Sequence, residues 1–260
     1  MILHTQEISG GPKRVVYLHG VFGQGRNFTQ IAKATRDIAT SLLIDLPNHG
    51  RSPWSETIDY GQMAYAVSEA LNDWGAHVAP VTLIGHSMGG KVAMRLALEN
   101  PALLRQLIVV DISPRISPIN QQLGSYIEGL LQLPLAELPT RTSVDKAAKE
   151  FIPNQAIRST LLQNLHHKTD GSWTWRANLQ LLHDHLDQVA AWPPIYTDWD
   201  GPVCWIRGEL SEYVQEADIA PMEELFPAVE LKTVPKAGHW VHVEQPAAFL
   251  AQIRSCLSRL

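Results

Sequence analysis

The chain has 260 residues, 45% of them hydrophobic and 18% charged, which describes an ordinary globular protein with material for one large core and one domain carrying an insertion. Acidic residues outnumber Lys and Arg by 26 to 21, the net charge is −5 and no basic run occurs, which excludes nucleic acid as the expected partner. Two cysteines supply neither a disulfide scaffold nor a Cys-rich metal site, no secretory signal opens the chain, and no apolar run approaches the ~20 residues that span a bilayer; a soluble, cytoplasmic protein in a reducing compartment is expected.

In chain order, the first buried strand is VVYL (15–18), ending in His19-Gly20 and a glycine-rich loop, GVFGQG (20–25), whose spacing fails the G-x-G-x-x-G dinucleotide pattern. SLLI (41–44) is the second strand. Asp59 can then cap a helix whose Met63, Ala66, Val67, Ala70, Leu71 and Trp74 share a face and which Gly75 ends. PVTLI (80–84) runs into a helix from Ser87 to Asn100, stopped by Pro101, and QLIVV (106–110) is the next strand. From Ser113 to about Pro202 no strand is expected. That stretch carries Leu-rich helical pieces, scattered prolines and the aromatics Tyr126, Phe151, Trp173, Trp175, Trp192 and Trp199, and reads as an inserted lid. PVCWI (202–206) and VELKTV (229–234) resume the strands. A last helix from Pro246 places Phe249, Ile253, Leu257 and Leu260 on one face. Strands without polar alternation, separated by helices, predict an α/β fold built on a mostly parallel, doubly wound sheet.

Gly85-His86-Ser87-Met88-Gly89 is the motif with chemical content, a G-x-S-x-G at the junction of a strand and a helix. The serine needs a tight turn, so the residues two before and two after it must be small for strand and helix to pass. The turn exposes the Ser87 hydroxyl and aims the Met88 N–H at developing negative charge, while the loop after His19-Gly20 offers the Val21 N–H as a second oxyanion donor. Gly85 to Lys91 also spells G-x-x-x-x-G-K, but Val92 stands where a phosphate-binding loop needs Ser or Thr.

A serine needs a base oriented by an acid. His239, in KAGHWVHVEQP after the last strand, is the expected base, with His242 the alternative and His86 a packing residue. His166-His167 and His183-Asp184-His185 lack the spacing of metal ligands on one helical face, so no metal is expected. For the acid the residues leave Asp111, Glu209, Glu212 and Asp45 open.

His19-Gly20, DLPNHGRS (45–52), GHSMGG and AGHWVHVEQP resemble the α/β-hydrolase superfamily over nearly the whole chain. LPNHGRSP, VDISP (110–114), WRANL (175–179) and IRGELSEYV resemble more narrowly the small bacterial esterases and their animal relatives of the abhydrolase-domain 11 type. The resemblance implies a core of residues 1–112 and 200–260 with a helical cap, 113–199, inserted after the strand at 106–110, which is strand six in that family's count. It implies hydrolysis of carboxylic esters, with acyl thioesters such as acyl-CoA a second class, and the alternative of a C–C hydrolase or lyase such as a menaquinone-pathway synthase. In the superfamily's usual acid loop the aspartate position is Ser211 here. In the esterase branch the acid follows strand six and a serine takes the usual aspartate's place, which assigns Asp111 as acid and Ser211 as its auxiliary. Phe22, Tyr126, Trp173 and Trp175 are expected to line the acyl pocket. No cofactor is implied, the partner is a small-molecule ester or thioester, stable membrane insertion is not expected, and monomer and dimer are both open.

Overall fold

The structure, a computed structural model, describes residues 1–117 and 121–258; Leu260, expected on the last helix's apolar face, lies outside them. Every apolar run becomes a strand. Five strands precede the insertion: β1 (Thr5–Ile8), β2 (Lys13–Leu18), β3 (Ala39–Ile44), β4 (Val81–His86) and β5 (Leu104–Val110). Within it lie β6 (Leu165–His167) and β7 (Trp173–Trp175), and after it come β8 (Val203–Gly208) and β9 (Val229–Val234). Helices α1 (Thr29–Ala34), α2 (Tyr60–Asp73) and α3 (Met88–Glu99) alternate with the early strands. The insertion carries α4 (Gln121–Gln132), α5 (Arg141–Ala148), α6 (Gln155–Leu161), α7 (Leu179–Asp184) and α8 (Leu186–Ala190), and α9 (Ile219–Leu225), α10 (Val241–Glu244) and α11 (Pro246–Leu257) close the chain.

The main sheet runs β1-β3-β2-β4-β5-β8-β9, parallel throughout except for β1, which pairs antiparallel with β3. Because side chains alternate across a strand, Val16, Leu18, Leu42 and Leu83 face α2 and α3, while Val15, Tyr17, Leu43 and Ile84 face α1 and α11, and both layers are buried. Asp59 accepts the Gln62 N–H and so starts α2, as its short polar side chain favours. Gly75, at φ +81°, follows the helix. After β2 the chain passes to β3 on one side and later to β4 on the other, which opens a crevice over the carboxyl ends of β2 and β4.

Three expectations are corrected. No strand was read before VVYL, yet β1 forms; its TQEI is polar and solvent-facing, as an edge strand can be, and leaves no apolar run to find. Nor was one read in the insertion, where β6 and β7 make a three-residue hairpin, too short for period-2 patterning. Cys204 and Cys256, from which no disulfide scaffold was expected, are joined in a disulfide, because α11 packs on the face of the sheet to which Cys204 of β8 points and brings the two Cα atoms to 6.5 Å. Among the described residues no helix is long and apolar enough to cross a membrane.

Candidate active site

The turn between β4 and α3 is sterically over-determined. Ser87 adopts φ 53°, ψ −122°, a strained backbone for any residue with a side chain. A Cβ at Gly85 would lie 2.3 Å from the Gly89 carbonyl oxygen, and one at Gly89 would lie 2.5 Å from that of His19, so β4, α3 and the end of β2 meet only through glycines. The Ser87 N–H donates to the Val110 carbonyl at 3.0 Å, tying the elbow to the end of β5.

That end of β5 holds Asp111, itself at positive φ (53°) and fully buried. Its N–H donates to the Ile206 carbonyl at 2.8 Å, and the indole of the buried Trp205 donates to the Ile112 carbonyl at 2.7 Å, so β8 grips the chain on both sides of the carboxylate. The carboxylate accepts three hydrogen bonds: Oδ1 from the Gly208 N–H at 2.8 Å, and Oδ2 from the Ser211 hydroxyl and from His239 Nδ1–H at 2.8 Å. Donation from Nδ1 leaves Nε2 as the acceptor, and it lies 2.8 Å from Ser87 Oγ. Ser87, His239, Asp111 and Ser211 are thus one connected chain of hydrogen bonds.

His239 is held from several sides. Tyr213 stacks on its ring with centroids 3.8 Å apart, and His86 Nε2–H donates to its carbonyl at 2.9 Å. Glu244 accepts the N–H groups of Gly238 (2.9 Å) and Trp240 (3.0 Å), clamping the loop on both flanks of the imidazole. The sequence reading missed Glu244; its signal was an acid five residues after the histidine, at the end of α10 and just before the last helix. His86 and His242 are buried, which pushes the pKa of His86 well below the ordinary imidazole value and that of His242 down to about 3, so both are neutral neighbours. His242 packs between Phe28, Phe249 and His86, and among the described residues its Nδ1 has no hydrogen-bond partner, whereas His239 holds Ser87 Oγ.

The loop after β2 is fixed by His19, whose Nδ1–H donates to the Gly20 carbonyl (2.8 Å) while Nε2 accepts the Leu46 N–H (2.9 Å). Gly20 packs on the elbow so closely that a Cβ would lie 3.0 Å from Ser87 Cβ. Val21 follows at once and lines the cavity beside Ser87 with Met88. Among the described residues, neither backbone N–H has a protein acceptor. The remaining acid candidates stand elsewhere in hydrogen-bonding terms. Glu209 accepts the Lys236 N–H, Glu212 is exposed, and Asp45 binds the N–H groups of Gly25 and Arg51.

The cavity wall is mostly apolar: Val21, Met88, Ile112, Leu123, Leu186 and Val189. Leu123, Leu186 and Val189 come from the insertion. The expected lining is corrected: Phe22, Tyr126, Trp173 and Trp175 are not on this wall. Phe22 is buried at positive φ with its carbonyl accepting from Asn164, Tyr126 is buried in the main hydrophobic core, and the two tryptophans sit on β7. Tyr60, Lys91, Ser117 and Tyr213 supply polar wall atoms that the sequence reading did not single out.

Comparison with known proteins agrees with this geometry. The alpha/beta hydrolase family is matched over residues 15–252. The sn-1-specific diacylglycerol lipase ABHD11 of Mus musculus is 37% identical over 250 residues, 94% of this chain and 80% of that protein. Esterase YbfF of Escherichia coli is 28% identical, over 94% of this chain and 92% of its own. Among solved structures, a marine microorganism esterase superposes with a TM-score of 0.92 at 32% identity, covering 98% of both chains. The chain therefore belongs to the alpha/beta hydrolase family, in the branch that holds ABHD11 and the small bacterial esterases, and is a carboxylic ester hydrolase.

Proposed function

We propose that the reaction is acyl transfer to Ser87 followed by hydrolysis of the acyl-enzyme, with His239 as base, Asp111 as the acid and Ser211 as its auxiliary. The carrying observation is the pair of 2.8 Å hydrogen bonds that links Ser87 Oγ to His239 Nε2 and His239 Nδ1 to Asp111. As Ser87 Oγ attacks the acyl carbonyl, its proton passes to Nε2, and the buried carboxylate stabilises the imidazolium. The tetrahedral oxyanion rests on the N–H groups of Val21 and Met88, each worth about 3 kcal/mol in the transition state. The imidazolium then gives its proton to the leaving alcohol. Water, deprotonated by His239, attacks the acyl-enzyme, and the acid product departs with Ser87 restored.

Residues 113–199 act in this reading as a lid on a core of 1–112 and 200–260, a role supported by the five residues, Ser117, Leu123, Leu186, Val189 and Ala190, that the insertion places around the Ser87 cavity. The substrate class is small-molecule carboxylic esters, with acyl thioesters as a second class served by the same chemistry. The test is a panel of aryl esters and acyl-CoA thioesters of graded length, assayed with wild type and Ser87→Ala. Turnover with a burst of alcohol or thiol, absent in the variant, is expected. Failure of wild type on the whole panel would overturn the reading and favour a C–C hydrolase or lyase.

A further inference from the structure

Lys91 is out of place for a core residue. It lies one helical turn after Ser87 on α3, is 1% exposed, and its side chain reaches the cavity wall beside the nucleophile. Its Nζ donates to the carbonyls of Ala190 (2.5 Å) and Ala191 (2.8 Å). Two of the three ammonium hydrogens are so used; the third has no acceptor among the described residues. The Tyr60 ring lies 5.7 Å away, and its hydroxyl is committed to the Val189 carbonyl. Ser117 donates its N–H to the same Ala190 carbonyl that Lys91 binds, which brings its hydroxyl to the same corner. That hydroxyl lines the cavity, is buried, and has no hydrogen-bond partner among the described residues.

Among the described residues no carboxylate pairs with Lys91. Burial, and secondarily the positive charge of Arg115, pull its pKa down to about 7. A buried ammonium without a counter-ion is costly, and pinning two carbonyls of a returning chain does not need a charge, since a neutral donor would serve. An anion entering the cavity would supply the missing partner and would be met by an unpaired N–H and an unpaired hydroxyl. Because the rise over one helical turn is only about 6 Å, that anion would sit a short chain away from a carbonyl held at Ser87.

Resting on the ester-hydrolase reading above, we propose that Lys91 Nζ and Ser117 Oγ bind a carboxylate at the far end of a short acyl group, so that half-esters and half-thioesters of short dicarboxylic acids are preferred substrates. Hydrolysis adds one water across the acyl C–O or C–S bond, releasing the alcohol or thiol and the dicarboxylate with its new proton.

The test compares monoethyl glutarate with the uncharged, similarly shaped ethyl 5-methylhexanoate at pH 6.5, in wild type, Lys91→Met and Ser117→Ala. Wild type should favour the half-ester at least tenfold in kcat/KM. That ratio should fall tenfold or more in Lys91→Met and severalfold in Ser117→Ala. A wild-type ratio at or below one, or an unchanged ratio in a folded Lys91→Met that loses both activities alike, would overturn the proposal and leave Lys91 a pin for the insertion. If Lys91→Met does not fold, the wild-type ratio and Ser117→Ala decide. Titration calorimetry of glutarate against wild type separates the two readings. Ester turnover without discrimination or glutarate binding sinks the anion site alone, whereas glutarate binding without turnover of either ester sinks the ester reading and keeps the site.

Discussion

Replacing Asp111 by Asn removes one charge and reverses one hydrogen-bonding direction. Oδ1 accepts from the Gly208 backbone N–H, which can only donate, and Oδ2 accepts from His239 and Ser211. If the amide keeps its oxygen toward Gly208, its NH2 faces His239 and forces Nδ1 to become an acceptor. The imidazole proton then sits on Nε2, where it blocks removal of the Ser87 proton. If the amide flips, the NH2 faces the Gly208 N–H, and a buried donor is left unsatisfied at a cost of about 1–3 kcal/mol. The first arrangement avoids that cost and is expected to dominate, with kcat reduced about 10³–10⁴-fold, or about 4–5.5 kcal/mol. The assay is steady-state hydrolysis of an aryl ester, with urea unfolding to establish that the variant is folded. Glu209→Gln and Glu212→Gln should change kcat by less than threefold. A loss below tenfold in Asp111→Asn, or a larger loss in either glutamate variant, would refute the reasoning.

Further outcomes follow from the same contacts. Ser211→Ala removes one of three donors from a buried carboxylate and should lower kcat about tenfold, about 1.4 kcal/mol, with KM little changed; an unchanged kcat would make Ser211 a spacer only. Gly85→Ala forces a Cβ against the Gly89 carbonyl and should cost more than about 2 kcal/mol in urea unfolding together with the activity, whereas tolerance would contradict the close passage of β4 and α3. Four buried histidines, His19, His49, His86 and His242, have pKa values lowered by burial, to about 3 for His49 and His242. The unfolded chain takes up protons near pH 6.5 that the folded one refuses, so stability is full above about 6.5 and falls as pH drops toward 3. His49 and His242 each contribute about 1.4 kcal/mol per pH unit in that window. Urea midpoints measured from pH 7 to 5 should show the decline, and His242→Gln should flatten it; an identical slope in the variant would count against this account.

The elbow was legible because its glycines answer a steric demand written in five consecutive residues. Met63, Ala66, Val67 and Leu71 likewise announced α2 through helical spacing alone. The acid could not be read that way. Asp111 and Ser211 stand 100 positions apart and meet only because β5 and β8 are neighbours, so their pairing came from resemblance, not from spacing. The pocket was misread for a related reason. Aromatic content drew attention to Tyr126, Trp173 and Trp175, but Tyr126 is buried in the main hydrophobic core and the two tryptophans pack against that core half-buried. Lys91 entered the sequence reading only as the last residue of a rejected phosphate-loop pattern, and its partners, the carbonyls of Ala190 and Ala191, fold back from a segment 99 and 100 positions away.

The contact between the Ser211 hydroxyl and the Asp111 carboxylate has an evolutionary corollary. One negative charge beside the imidazole has two possible covalent owners, one just beyond the end of each of two adjacent strands, and ownership could pass between them without moving the histidine. The crossing is uphill from either side: Asp111→Asn alone discards the charge, and Ser211→Asp alone crowds two carboxylates into a dry space. The double exchange should recover part of the activity lost in Asp111→Asn, measured as kcat on the same aryl ester; a double variant no better than the single one would mean that the seat near Ser211 cannot hold the charge.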